Sequence, residues 1–182
     1  MRRTLILLLV LLPAPAVAQA KEKEVFFDVG VARFGDDEGS LGTGGLYGGG
    51  VGIRPVPLLG FEFAVQGARH SRNTSGGALH FEGTPVFYSG NVLLHFPGVV
   101  VRPYVSAGLG AMHWSGSQRL RSSTGGVDTI TNRSADEFAM NFGGGLKISV
   151  LPHLAVRPEL RFYNTRHGFG MIQATIGLSL HW

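Results

Sequence analysis

Apolar and polar positions alternate one for one along much of the chain, most cleanly at its end. In residues 171–182, Ile172, Ala174, Ile176, Leu178, Leu180 and Trp182 fall on one face. Met171, Gln173, Thr175, Gly177, Ser179 and His181 fall on the other. No helical period fits this pattern, whereas a strand with one apolar and one polar face does. Residues 154–163 repeat it, with Leu154, Val156, Pro158, Leu160 and Phe162 set against Ala155, Arg157, Glu159, Arg161 and Tyr163. So do residues 137–148, where Phe138, Met140, Phe142, Leu146 and Ile148 oppose Glu137, Ala139, Asn141, Gly143, Gly145 and Lys147.

The same reading predicts eight strands, near 24–34, 44–54, 59–70, 85–96, 102–114, 137–149, 154–166 and 170–182. Roughly 60% strand is too much for an ordinary globular domain and suits a closed barrel. The connections alternate in length. Three are short and proline-bearing: Pro55 to Leu58, Pro97 to Val101, and Val150 to His153. Three others, 35–43, 71–84 and 115–136, are longer and more polar, and the fourth, after Thr165, is brief. Short turns at one rim and longer loops at the other are the pattern of an outer-membrane barrel. An even strand count puts both termini at the short-turn rim, expected to be periplasmic.

Which face meets lipid is decided by what shares the polar face. It carries full charges at mid-strand, namely Asp28, Glu62, Lys147, Arg157, Glu159 and Arg161. It also carries Gly48, Gly50, Gly52, Gly108, Gly110, Gly143 and Gly145. Glycine on an exposed strand face only weakens the strand. In an eight-stranded barrel the bore is just wide enough for side chains, so glycines on some strands make room for arginine and glutamate from others. The polar face is therefore expected to line a narrow, filled lumen and the apolar face to meet lipid. The six charges are expected to pair, since an unpartnered buried charge is expensive; an ion path or gate is the other reading. Aromatic residues near strand ends, namely Phe26, Phe27, Phe34, Phe96, Tyr104, Trp114, Phe138, Phe162, Tyr163 and Trp182, are expected to form interfacial girdles.

Three stretches carry a resemblance: Arg102-Pro103-Tyr104-Val105-Ser106-Ala107-Gly108-Leu109-Gly110, Gly143-Gly144-Gly145-Leu146-Lys147, and Arg157-Pro158-Glu159-Leu160-Arg161-Phe162-Tyr163. With them the chain resembles the OmpA/OmpX-like family of small outer-membrane β-barrels. The resemblance implies an all-β, eight-stranded antiparallel up-and-down transmembrane barrel. It also implies that Trp182, preceded by alternating apolar residues, serves as the signal read by the outer-membrane assembly machinery. Phenylalanine is the commoner last residue in that family.

Residues 1–20 supply a matching export signal. Arg2 and Arg3 precede the apolar run Leu5 to Leu12, then Pro13, Pro15 and small residues follow. Ala18-Gln19-Ala20 fits a cleavage site, so residues 21–182 are expected to form the barrel domain; Ala16-Val17-Ala18 is a second option. The run is far short of the ~20 residues needed for a spanning helix. Without the two leader arginines the formal charge of +4 falls by two, too little to suggest nucleic acid. The chain has no cysteine, which excludes disulfides, thiolate catalysis and lipid attachment to cysteine.

Other motifs are weak. The stretch Gly42–Gly52 has no GxxxxGK[ST] spacing and leads into a strand, where a phosphate loop needs a helix N-terminus. The seven histidines show no metal-ligand spacing. One catalytic arrangement is conceivable: His113 and Ser115 share a face at the loop rim with Glu137 across the next hairpin, as a serine nucleophile, base and orienter would. By the strand phase that face is the lipid-facing one.

The expectation is thus a monomeric, non-enzymatic outer-membrane barrel without cofactor or metal. Its partners are membrane lipid, the assembly machinery and an extracellular ligand held by the 71–84 and 115–136 loops. A lipid A- or phospholipid-modifying barrel enzyme is the main alternative. A soluble exported lipocalin-like barrel, with its apolar side chains turned inward around a ligand, is another.

Overall fold

The computed structural model describes residues 21–36, 39–73, 79–120, 129–166, 168 and 170–182. The export signal expected at 1–20 lies outside the described residues. The described chain forms β1 (Glu22–Asp36), β2 (Gly39–Val56), β3 (Leu59–Ala68), β4 (His70–Asn73), β5 (Leu79–His95), β6 (Val101–Leu120), β7 (Thr129–Leu151), β8 (Leu154–Thr165) and β9 (Gly170–His181). β3 and β4 pair with β5 in one continuous register, so they are a single wall strand interrupted at Arg69. Eight wall strands result. Every neighbour is antiparallel, β1 pairs with β9, and the β3–β5 pairing completes the cylinder.

The stagger of that closure follows from the ladders. The register row runs from Arg69 through Gly45, Val31, Ala174, Leu160, Gly144, Val105 and Leu94. It meets the third wall strand again at Leu59, ten residues below Arg69. Eight strands with that stagger tilt by about 40° and leave a backbone radius of about 8 Å, a bore that side chains fill.

The faces follow the alternation. Phe27, Val51, Phe63, Leu109, Phe142, Leu160, Ile176 and Leu178 are exposed on the outer wall, whereas Asp28, Glu62, Lys147, Arg157, Glu159 and Arg161 are buried inside. This inverts a soluble ligand-binding barrel, so the lipocalin-like alternative is set aside. Lys23 and Trp182 exchange backbone hydrogen bonds where β1 meets the chain end.

Proline marks the ladder breaks. Register shifts fall between Ile53 and Val56, beside Pro55 and Pro57, and between Ser149 and Leu151, beside Pro152. At mid-wall the β7–β8 pairs stop at Gly145–Glu159 and resume at Ile148–Val156 around Pro158, which has no N–H to donate. Gly168, in the short β8–β9 connection, has a φ of 81°, a backbone region that favours glycine.

Three features depart from the sequence reading. First, the 71–84 and 115–136 loops are largely paired strand. The β5–β6 ladder runs out to Leu79–Leu120, β6–β7 to Leu120–Thr129 and β4–β5 to Asn73–His80. The described residues of the 35–43 loop are likewise strand. Backbone pairing propagates past the apolar wall without needing alternation, so these hairpins leave no period-two signal. Second, the lumen is polar over only part of its length. Towards the hairpin rim, Ala32, Phe34, Leu46, Ala68, Phe87, Met112, Ala139, Tyr163 and Met171 close it with an apolar cluster. Third, Phe26, Phe34, Tyr104 and Tyr163 point into the lumen rather than joining an interfacial girdle. Phe27, Phe96, Phe138 and Trp182 are exposed on the outside.

Candidate functional site: the charged lumen

All six charges named from the alternation enter one interior, and five of them join one ionic lattice. Arg157 and Arg161 lie four residues apart on β8 and face Glu62 of β3 across the bore. Arg157 Nη2 donates to Glu62 Oε2 at 2.6 Å, and Arg161 Nη2 donates to Glu62 Oε1 at 3.0 Å. Each glutamate oxygen thus receives a separate guanidinium. Glu159 stands between the two arginines on their own strand. It accepts from Arg157 Nη2 at 2.6 Å and Nε at 3.1 Å, and it pairs with Arg161 Nε through its other oxygen. Charge-assisted bonds of this kind are the strong ones, and burial keeps water from competing for them.

Lys147 completes the lattice towards the terminal rim. It pairs with Glu24, whose other oxygen lies 3.6 Å from Arg157 Nη1. Tyr104 caps the centre: its hydroxyl donates to Glu159 Oε2 at 2.5 Å and accepts from Arg157 Nε at 2.7 Å. The Arg157 guanidinium also sits over the Phe26 ring, 4.3 Å from its centroid.

Asp28 departs from the expected ion-pair network. It is buried in the lumen, but its partner is the Gln66 amide at 3.4 Å, and no base reaches it among the described residues. Gln66 in turn accepts from the Tyr163 hydroxyl at 2.6 Å, which links Asp28 to the apolar cluster.

The glycines make this lattice possible. A Cβ on Gly145 would lie 2.6 Å from the Tyr104 hydroxyl oxygen and 2.5 Å from the Pro158 carbonyl. A Cβ on Gly108 would lie 1.9 Å from Asn91 Oδ1, and the Asn91 amide donates to Glu62 Oε1 at 3.2 Å. A side chain at either place would displace a group that orders the charges.

Glu24, Gln66, Asn91 and Tyr104 belong to the site but were not singled out from the sequence. The phase that finds Asp28 also finds Glu24, four residues earlier on β1. Tyr104 reads as an interfacial aromatic unless that phase is carried back to the start of β6.

The wall arrangement considered for catalysis is altered. His113 is on the outer wall, but its partner is Asp136, with Nδ1 to Oδ1 at 2.6 Å. Glu137 pairs in register with Met112 and so takes the lumen phase, where it cannot orient His113. Ser115 shares the outer face with His113, but makes no hydrogen bond to it among the described residues.

A closed eight-stranded wall, apolar outside and ion-paired inside, has relatives. The chain matches the profile of the outer membrane protein β-barrel domain over residues 4–182. It belongs to that family. Membership places it in the bacterial outer membrane. Similar solved structures include Neisserial surface protein A at 15% identity, covering 89% of this chain and 99% of that one, with a TM-score of 0.63. Ail, the attachment invasion locus protein of Yersinia pestis, is 13% identical over 90% of this chain and 100% of its own, with a TM-score of 0.66. The N-terminal barrel of Pseudomonas aeruginosa OprF is 22% identical over 87% and 97%, with a TM-score of 0.53. At these identities the likeness is one of fold. No curated protein matches the chain.

Proposed function

We propose that this outer-membrane barrel is a non-conducting, non-enzymatic wall element that presents its paired hairpins outside the cell. The observation that carries this reading is the Glu62–Arg157–Glu159–Arg161 lattice, which spans the bore between β3 and β8. With the apolar cluster stacked on it, little continuous water path remains. The six charges named from the sequence then have a structural role: the five in the lattice hold opposite walls together, and Asp28 joins one wall to the apolar cluster through Gln66.

What distinguishes the chain functionally then lies beyond the wall, in the hairpins of β4–β5 and β6–β7. The short proline-bearing turns and both termini face the periplasm in this reading, and Trp182 is the residue engaged by the assembly machinery. Closure leaves no unpaired strand edge, so a single chain suffices and the protein is a monomer. The names of two structural relatives, a surface protein and an attachment protein, agree with an interaction role for the hairpins.

The test has two arms. In planar bilayers the refolded protein is expected to show no steady conductance, and a stable open channel would refute the plug. Cutting the β4–β5 and β6–β7 hairpins back to two-residue turns should preserve heat-modifiable migration on a gel. It should also abolish attachment of expressing cells to a cultured-cell layer. Full attachment by the trimmed protein, or none by the intact one, would refute the interaction role.

A further inference from the structure

The outer wall carries a cation that the barrel itself does not use. Arg33 is the last side chain before Gly35 on the outward face of β1, which reads Lys23, Val25, Phe27, Val29, Val31, Arg33 along the strand. Arg33 is exposed and has no ion-pair or hydrogen-bond partner among the described residues. Ten residues of strand rise about 33 Å, which the tilt reduces to about 25 Å along the barrel axis. That is the height of the apolar band of an outer-membrane barrel. Lys23 and Arg33 therefore stand at its two edges, at the depth of lipid headgroups.

Next to Arg33 the wall is hollowed. Gly35 and Gly170 face each other across the β1–β9 ladder, and their bare backbone floors a trough of about 330 Å³ bounded by Arg33, Phe162 and Ile172. The hollow is not forced by packing: a Cβ on Gly170 would meet nothing nearer than 3.9 Å. The register sets the order of its chemistry. Arg33 pairs with Ile172, which pairs with Phe162, and rows read in this direction descend towards the terminal rim. Arg33 thus lies towards the hairpin rim, and the two apolar side chains lie progressively closer to mid-membrane. Phe162 also stacks on Phe142, with centroids 5.1 Å apart, which extends the apolar surface. Arg69 and Arg166 add exposed cations at the same rim.

We propose that this trough binds a phosphorylated membrane lipid, with its phosphate on the Arg33 guanidinium and an acyl chain laid over Ile172 and Phe162. A phosphate is the anion that headgroup depth supplies, and guanidinium recognises it through paired hydrogen bonds. Cation at the rim and apolar surface below is the polarity of a lipid in the adjoining leaflet; a free anion would have no use for the apolar part.

The experiment titrates phosphatidylglycerol, and separately diacylglycerol of the same chains, into the detergent-solubilised protein and counts retained lipid by native mass spectrometry. Heat-modifiable migration checks the folding of each variant. Wild type should retain one phosphatidylglycerol in preference to diacylglycerol. Arg33→Gln should weaken retention about tenfold or more, the effect expected of one lost charge-assisted hydrogen bond. Gly170→Leu, which fills the trough and leaves the charge, should do the same. Lys23→Gln, at the opposite edge, should not. Unchanged retention in either trough variant, equal loss in Lys23→Gln, or equal retention of diacylglycerol would overturn the proposal. So would displacement of the lipid from wild type by millimolar inorganic phosphate, which would mark a free-anion site.

Discussion

Removing Glu159 tests the lattice where it is densest. In Glu159→Ala the barrel loses the carboxylate that accepts from Arg157 Nη2 at 2.6 Å, from Tyr104 at 2.5 Å and from Arg161. Each hydrogen bond to a charged group contributes about 1.5–3 kcal/mol, but bonds sharing one carboxylate are not additive. After the change both arginines keep Glu62, at 2.6 and 3.0 Å, and Arg157 keeps Glu24 at 3.6 Å. One positive charge is then left without its counterion in a bore where Arg157 and Arg161 are almost fully buried. Breaking a buried pair from one side typically costs 3–5 kcal/mol, and the surviving Glu62 contacts argue for about 3. Urea titration of the protein folded in lipid vesicles reads this as a lowered midpoint at unchanged slope. Glu159→Gln retains the shape and removes the charge, and it should fall between wild type and alanine. The Glu159→Ala/Arg161→Ala double variant should lose less than the sum of the singles, because the second change removes the stranded cation. A loss below about 1 kcal/mol in Glu159→Ala, or strict additivity in the cycle, would show that lumen water screens these charges and that the lattice is not dry.

Leu160→Arg and Leu178→Arg put a charge on the exposed apolar wall and should each cost about 2–4 kcal/mol near the midplane, read by the same titration; wild-type stability in both would invert the face assignment. Gly145→Ala should destabilise by about 1–3 kcal/mol through overpacking, because its Cβ meets the Pro158 carbonyl at 2.5 Å and the Tyr104 hydroxyl oxygen at 2.6 Å; a neutral effect would show that the β7–β8 wall yields more easily than its ladder implies. His113→Ala and Ser115→Ala should leave the lipid A and phospholipid acyl profiles of expressing cells unchanged, as judged by lipid mass spectrometry. Loss of a specific acyl modification in either would favour the enzyme reading.

The alternation along residues 137–148, 154–163 and 171–182 was enough to establish strands, their two faces and the closed architecture. Lipid outside and side chains inside leave an uninterrupted period of two, and proline placed the turns at the terminal rim. It was enough also to bring Glu62, Lys147, Arg157, Glu159 and Arg161 to one interior, since a residue's face depends only on its parity within a strand. Which charge meets which was decided only in three dimensions. Glu62 and Arg157 are far apart in sequence, and the ten-residue stagger of the closure determines that β3 and β8 meet at that height. The same stagger left Asp28 one layer away from every base, beside Gln66. It also placed Tyr104 at the centre of the lattice and stacked an apolar cluster over it. Hairpins beyond the membrane were illegible for a different reason: there backbone pairing suffices, and no solvent boundary imposes a pattern on the side chains. The trough at Arg33 also needed the folded wall, because Gly35 and Gly170 become neighbours only when the first and last strands pair.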